Sequence, residues 1–207
     1  MRPYQRTILA IAATMVLCSA FTNRAEAGVP TEQVRQTADK VLQVLQDPRF
    51  KANGNMSQRR EQLRQILGAR FDFAEMAKRS LGSNWQKGSS AEQQQFVRLF
   101  TDHLEKSYIA QIESYAGEKI NYGREAVEQD QAEVETKIVT KKSEQVSVNY
   151  KLKADGAEWK VYDVVIENVS LVNNFRTQFS RILAKGSFAE LISQLEAKST
   201  GNKSDRS

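Results

Sequence analysis

Cysteine and histidine are almost missing from this sequence of 207 residues. Each occurs once, as Cys18 and His103. A disulfide framework needs paired cysteines, and a zinc site needs three or four closely spaced ligands, so neither is expected here. His103 has no second histidine or cysteine beside it, and a partly buried helix histidine is favoured over a general base or a metal ligand. We therefore predict no metal and no cofactor.

Sequence motifs typical of common enzymes are also missing. The chain contains no GxSxG nucleophile turn, no GxGxxG dinucleotide loop and no GxxxxGK[ST] phosphate loop. The formal net charge is only +5, and lysines and arginines do not gather into a long basic run. Nucleic-acid binding is therefore not expected.

One acidic residue keeps an enzyme hypothesis open. Asp163 lies between Tyr162 and Val164, in the most apolar strand-like segment of the chain. Burial there would raise the pKa of its carboxyl and suit a general base. A hydrogen-bonded structural acid is the interpretation that we favour, so we predict a protein that is not an enzyme and has no catalytic residues.

The N-terminus has the pattern of a secretory signal peptide. Two arginines precede an uncharged apolar stretch, 7–21, and a small-x-small site, AEA, follows at 25–27. The apolar stretch is shorter than the ~20 residues that a membrane-spanning helix needs. We predict cleavage of residues 1–27 and export; an uncleaved anchor is the alternative. A lipoprotein is disfavoured because Cys18 follows Leu17, where lipid attachment needs a small residue.

Helical spacing of apolar residues recurs on both sides of the middle of the chain. Asp72 and Ser89 each precede a glutamate by three residues, which is the pattern of a capping box. Gly82 suits the position after a helix C-terminus. The polar tail 199–207 is expected to be disordered. The predicted helices span 31–46, 57–67, 72–81, 90–115, 171–183 and 188–195.

Between these two helical regions the apolar period changes to two, which predicts β-strands. Asp155 and Gly156 mark a tight hairpin between the last two strands. The final strand is apolar on both faces and should be covered on both sides. The fold class is therefore α+β, with helices packed on a curved four-stranded antiparallel sheet in a single domain, 28–198. The predicted strands lie at 120–122, 132–139, 146–152 and 159–169.

Three segments of the chain resemble the MlaC family, also called the toluene-tolerance family. They are FDFAEMAKRSLGSNWQKGSSAEQQQFVRLFTDHLEKSY (71–108), WKVYDVVIENVSLVNNFRTQFSRIL (159–183) and KGSFAELISQLEAK (185–198), in the same order and spacing. The resemblance is weakest over 118–155. It implies a cone-like sheet similar to nuclear transport factor 2 (NTF2) domains. The helical segments at the two ends of the chain are expected to form an added helical subdomain that packs on this sheet. The resemblance also implies a periplasmic phospholipid-binding protein that buries the lipid tails and leaves the head group towards solvent.

The same resemblance implies partners and a role in the envelope. Members of the family ferry lipid between an outer-membrane lipoprotein complex and an inner-membrane ABC transporter with an MCE-domain subunit, which maintains the lipid asymmetry of the outer membrane. Because a shuttle must dock alternately, we expect a monomer. Two alternatives stay open: an enzyme that uses Asp163 in a cone-shaped fold, and an envelope adaptor that binds no ligand.

The candidate lipid contacts are large apolar side chains near the matched segments. Periodicity does not separate core residues from residues that line a cavity, and a one-residue slip in strand register would exchange the two sheet faces. Arg79 and Arg176 are candidates for the head-group phosphate, because they are basic and lie beside the matched motifs. The candidate lipid-binding residues are Phe73, Met76, Leu81, Trp85, Phe100, Leu104, Tyr108, Val134, Val146, Val148, Tyr150, Val161, Val165, Val169, Val172 and Phe175.

Overall fold

A computed structural model describes most of the chain after the predicted signal peptide. The predicted cleavage site and the segment before it lie outside the described residues, as does 202–207. The last helix continues to Gly201, so residues 199–201 of the predicted tail are helical. The described stretches are 28–50, 55–114, 117–140 and 143–201.

The helices follow the predicted pattern closely, because their ends are set by local capping. The Asp72 side chain accepts a hydrogen bond from the Glu75 backbone N–H at 2.8 Å. Ser89 and Glu92 form a reciprocal capping box. Two short 3₁₀ turns, Pro48–Phe50 and Gly82–Lys87, were not predicted. The α-helices are α1 (Val29–Gln46), α2 (Met56–Arg70), α3 (Phe73–Leu81), α4 (Ser90–Glu113), α5 (Leu171–Leu183) and α6 (Phe188–Gly201).

The described strands form one antiparallel sheet of five strands, so the predicted number of four is wrong. The predicted strand 159–169 is interrupted at Glu167 and Asn168, which both have positive φ angles, 47° and 65°. Two successive residues of this kind make a tight hairpin, and the chain turns back so that Ile166 pairs with Val169. In sheet order the strands are β1 (Lys119–Glu128), β2 (Gln131–Val139), β3 (Gln145–Asp155), β4 (Glu158–Ile166) and β5 (Val169–Ser170). The likeness to NTF2 domains stays a prediction.

A bulge in β4 decides which of its residues share a face of the sheet. Asp163 pairs with Lys151, whereas the next β3 residue, Leu152, pairs with Val161, so Tyr162 is the extra residue on β4. An extra residue shifts the alternation of side chains by one position. Val161 and Val164 therefore lie on the same face, although three positions separate them.

The apolar side chains are divided among three clusters. The largest joins α3, α4, α5 and α6. In it the Phe179 ring packs edge-to-face against Phe96 and Phe100, with ring centroids 5.4 and 6.0 Å apart. A second cluster lies on the sheet beneath α1, around Val134 and Leu152. A third joins α1, the 3₁₀ turn Pro48–Phe50 and α2. The space between these clusters is the site described next.

Candidate ligand cavity

A cavity of about 360 Å³ lies between the sheet and helices α1, α2 and α4. This volume falls in the usual range of small-molecule sites, ~300–1,000 Å³. One wall is the face of the sheet that carries Val148, Val161 and Val164. The opposite walls come from α1 and the second half of α4. Their apolar lining residues are Val34, Ala38, Val41, Leu42, Leu45, Leu104, Tyr108, Ile109 and Ile112.

The cavity is deep at one end and open at the other. At the deep end Met76 and Val161 are each 1 % exposed. At the other end Ile166 is 36 % exposed, and its cross-strand neighbour Val169 is 59 % exposed. The lining of the cavity therefore reaches the protein surface beside the β4–β5 hairpin.

Arg70 is held at the wall of the cavity by protein partners. Its Nη1 donates to the Gln33 side-chain oxygen and to the Trp159 carbonyl, both at 2.6 Å, and its Nε donates to the Thr37 hydroxyl at 3.1 Å. Glu158 adds an ion pair at 3.0 Å. With its donors used in this way, Arg70 joins α1 and α2 to the sheet.

Glu105 is the acidic side chain in the cavity wall. Its carboxylate accepts a hydrogen bond from Arg64 Nε at 2.8 Å. Burial raises the pKa of Glu105, and the Arg64 charge only partly opposes this effect.

Two tyrosines also line the cavity. Tyr108 lies on α4 and Tyr150 on β3, on opposite sides of the space. Burial raises the pKa of Tyr108, and it raises the pKa of Tyr150 to about 12. Both phenols are therefore protonated at neutral pH and can donate hydrogen bonds.

The structure brings part of the predicted lipid-binding set together in the cavity. These residues come from α3, α4, β3 and β4, four elements that are separated in sequence. The predicted residues that line the cavity are Phe73, Met76, Leu104, Tyr108, Val148, Tyr150 and Val161.

The remaining predicted residues lie elsewhere. Val134 is buried in the sheet cluster, and Val146 pairs with Ile138 at the end of β3 without lining the cavity. Val165 points to the opposite sheet face from its neighbour Val164, and Val169 is exposed. The others are packed in or against the helical cluster: Leu81, Trp85, Phe100, Val172 and Phe175.

Several lining residues were not among the predicted set. Helix α1 supplies the largest group. The sequence showed an apolar stripe on this helix at Val34, Ala38, Val41 and Leu45, but that pattern does not tell a cavity wall from a core face. Val164 was missed because the bulge at Tyr162 leaves no clear signal in the sequence. The remaining unpredicted apolar residues are Leu67, Phe71, Ile109, Ile112, Ile120, Ile138, Ile166 and Leu171.

Neither predicted head-group arginine lines the cavity. Arg79 pairs with Glu75 at 2.7 Å, and its guanidinium lies 3.9 Å from the ring centre of Tyr162. Arg176 donates two hydrogen bonds to the backbone carbonyl of Arg79, at 2.9 and 2.8 Å. These contacts tie α3 to β4 and α5.

Asp163, which kept the enzyme hypothesis open, and His103 both have contacts within the protein. Asp163 does not line the cavity; its carboxylate accepts hydrogen bonds from the Ser170 hydroxyl at 2.6 Å and the Val172 N–H at 3.0 Å. His103 packs edge-on against Phe175 at 5.7 Å, and burial lowers its pKa. Among the described side chains, no group of three His, Cys, Asp or Glu is placed to hold a metal ion.

Comparison with known proteins assigns the fold to a family. The family model of the MlaC protein matches residues 35–197, most of the chain. The chain belongs to the MlaC family. Within the described part of this MlaC-family chain, no helix is both long and apolar enough to cross a membrane.

Two known proteins are similar to this MlaC-family chain. The intermembrane phospholipid transport system binding protein MlaC of Haemophilus influenzae is 23 % identical over 172 residues, which cover 81 % of this chain and 80 % of the relative. The solved structure of a phospholipid-binding protein from Ralstonia solanacearum, in complex with a phospholipid, superposes with a TM-score of 0.75 at 22 % identity. That match covers 84 % of this chain and 98 % of the solved one, and it establishes the shared fold.

Proposed function

We propose that this MlaC-family chain is a periplasmic carrier that holds the acyl chains of a diacyl phospholipid in the cavity and moves the lipid between two membranes. The observation that carries the proposal is the 360 Å³ apolar cavity, whose walls come from three separate hydrophobic clusters. A phospholipid transport name on one relative and a bound phospholipid in another support it.

The physical chemistry of lipid transfer fits such a cavity. A two-tailed phospholipid exposes roughly 30 methylenes, and each costs ~0.8 kcal/mol in water, so free passage between membranes would cost on the order of 20 kcal/mol. An apolar cavity removes much of that barrier. Since the bilayer interior is equally apolar, the carrier gains little net affinity over the membrane, and its partners must bias loading and release.

The proposed partners follow from this requirement and from the family. We infer exchange with an inner-membrane ABC transporter that has an MCE-domain subunit and with an outer-membrane lipoprotein complex, by a monomer that docks to each in turn. The predicted signal peptide supports the periplasmic location. The hydrogen bonds that Asp163 makes to Ser170 and Val172 support a carrier over an enzyme.

Native mass spectrometry of residues 28–207, purified without detergent, tests the proposal. We expect an added mass that matches a diacyl phospholipid at about one per chain, and organic extraction identifies the lipid. A protein that carries no lipid after purification and takes up none from phospholipid vesicles would overturn the carrier proposal.

A further inference from the structure

Tyr150 lies at the centre of the cavity's sheet wall. It pairs with Val134 on β2 and with Val164 on β4, and its ring packs against the sheet cluster that includes Val34 of α1. The residue lines the cavity and is half-buried. Because protein surrounds it on the sheet and helix sides, its accessible surface is cavity surface.

The hydroxyl of Tyr150 has no hydrogen-bond partner among the described residues. Other hydroxyls of the sheet are paired within the protein: Thr136 donates to the Val148 carbonyl at 2.6 Å, and Tyr162 donates to the Gln131 side chain at 3.0 Å. Among the described side chains, the fully buried polar atoms without a hydrogen-bond partner belong to two arginines, so the Tyr150 oxygen is not fully buried. It therefore opens onto the cavity.

An unpaired donor facing an apolar space is a place for a ligand acceptor, because a buried polar group without a partner is unfavourable. The acceptor should be uncharged, since bringing a phosphate or carboxylate so deep would carry a large desolvation penalty. A diacyl phospholipid has suitable acceptors in the ester carbonyls at the top of its acyl chains. A dialkyl ether lipid of the same length lacks those carbonyls.

We propose that Tyr150 donates a hydrogen bond to an ester carbonyl oxygen of the bound lipid, and that this bond makes the carrier selective for ester-linked over ether-linked chains. The proposal rests on the proposed function. The high pKa of Tyr150, about 12, keeps the phenol protonated as a donor.

A competition experiment tests this selectivity. Delipidated protein is mixed with equal amounts of a diacyl and a dialkyl ether phosphatidylglycerol of the same chain length, and native mass spectrometry gives the ratio of bound ester to bound ether lipid. In the wild type we expect a ratio of about fivefold, the factor that a net hydrogen-bond contribution of about 1 kcal/mol provides. Tyr150→Phe should bring the ratio to about one, with ether-lipid binding unchanged.

Tyr162→Phe is the matched control, because it removes a phenol hydroxyl that bonds to Gln131 outside the cavity. It should keep the wild-type ratio. A wild-type ratio near one, or a Tyr150→Phe ratio equal to the wild type, overturns the role of Tyr150 while leaving the carrier proposal standing. If neither lipid binds to any of the three proteins, the carrier proposal itself fails.

A second measurement avoids any dependence on how the variant folds. A lipid with isotope-labelled ester carbonyls is bound to the wild type, and its infrared carbonyl band is recorded. If the hydrogen bond forms, one carbonyl band should lie at a lower frequency than the same band of the lipid in dry hydrocarbon. A spectrum with no shifted band contradicts the proposal.

Discussion

Glu125 of β1 caps the first turn of helix α1 at Thr31, which lies 94 residues earlier in the chain. Its Oε2 accepts hydrogen bonds from the backbone N–H of Thr31 at 2.8 Å and from the Thr31 hydroxyl at 2.6 Å. A bulge between Tyr122 and Glu125 shifts the register of β1 just before this carboxylate. The contact anchors one wall of the cavity to the sheet, since α1 supplies that wall.

Glu125→Ala should loosen this wall. The variant leaves the buried Thr31 without its carboxylate partner, and we expect a loss of about 1–3 kcal/mol in the free energy of unfolding, measured with urea. Hydrogen exchange should speed up in α1 more than in α5. Glu128→Ala, on an exposed position of the same strand, is the control and should leave both helices protected. Unchanged exchange in α1 would show that the cap does not anchor the helix.

Val164→Trp and Val165→Trp form a pair that tests which face of β4 meets the lipid. Val164 lines the cavity, whereas the adjacent Val165 points to the other face. An indole at residue 164 should fill part of the cavity and lower lipid affinity by about tenfold, because overpacking costs about 1–3 kcal/mol. The change at 165 should leave affinity within about twofold. Equal effects at both positions, measured by titration with fluorescent phospholipid, would refute this assignment of the faces.

Asp163→Asn separates a structural acid from a catalytic one. The amide cannot accept both hydrogen bonds that the carboxylate receives from Ser170 and Val172, so the start of α5 should be weakened. We expect the free energy of unfolding to fall by about 1–3 kcal/mol while lipid stoichiometry stays at the wild-type value. Asp155→Asn, at an exposed hairpin, should change neither quantity. Unchanged stability together with lost lipid binding would contradict the structural role.

Glu105 predicts a pH dependence of stability. Burial raises its pKa above the ordinary 4.5, so the folded protein binds this proton more tightly than the unfolded chain does. The stabilisation from the protonated carboxyl is present below about pH 4.5 and is lost as the pH rises through the folded-state pKa. The stability of Glu105→Gln minus that of the wild type should therefore increase between about pH 4 and about pH 7.

Urea unfolding of both proteins across this pH range measures the difference. A difference that stays level with pH would mean that burial does not hold the Glu105 proton.

Much of the local structure followed from the sequence because its causes are local. Capping residues such as Asp72 and Ser89 lie within three residues of the groups they bond, and the predicted helix starts are confirmed there. Alternation of apolar residues placed β2 and β3 correctly. The turn at Glu167 and Asn168 was missed, since neither residue is the glycine that usually marks a positive φ angle.

The sequence by itself determined the helices, most of the strands and the resemblance to the MlaC family, because capping, periodicity and motif order are properties of neighbouring residues. Only the tertiary structure decided which apolar residues line the cavity. Val161 and Val164 share a face because of the bulge at Tyr162. Phe100 and Leu104 lie four residues apart on α4, yet only Leu104 lines the cavity. The physical reason is that a cavity is the space that separate packed clusters leave between them, and that space depends on contacts between distant segments.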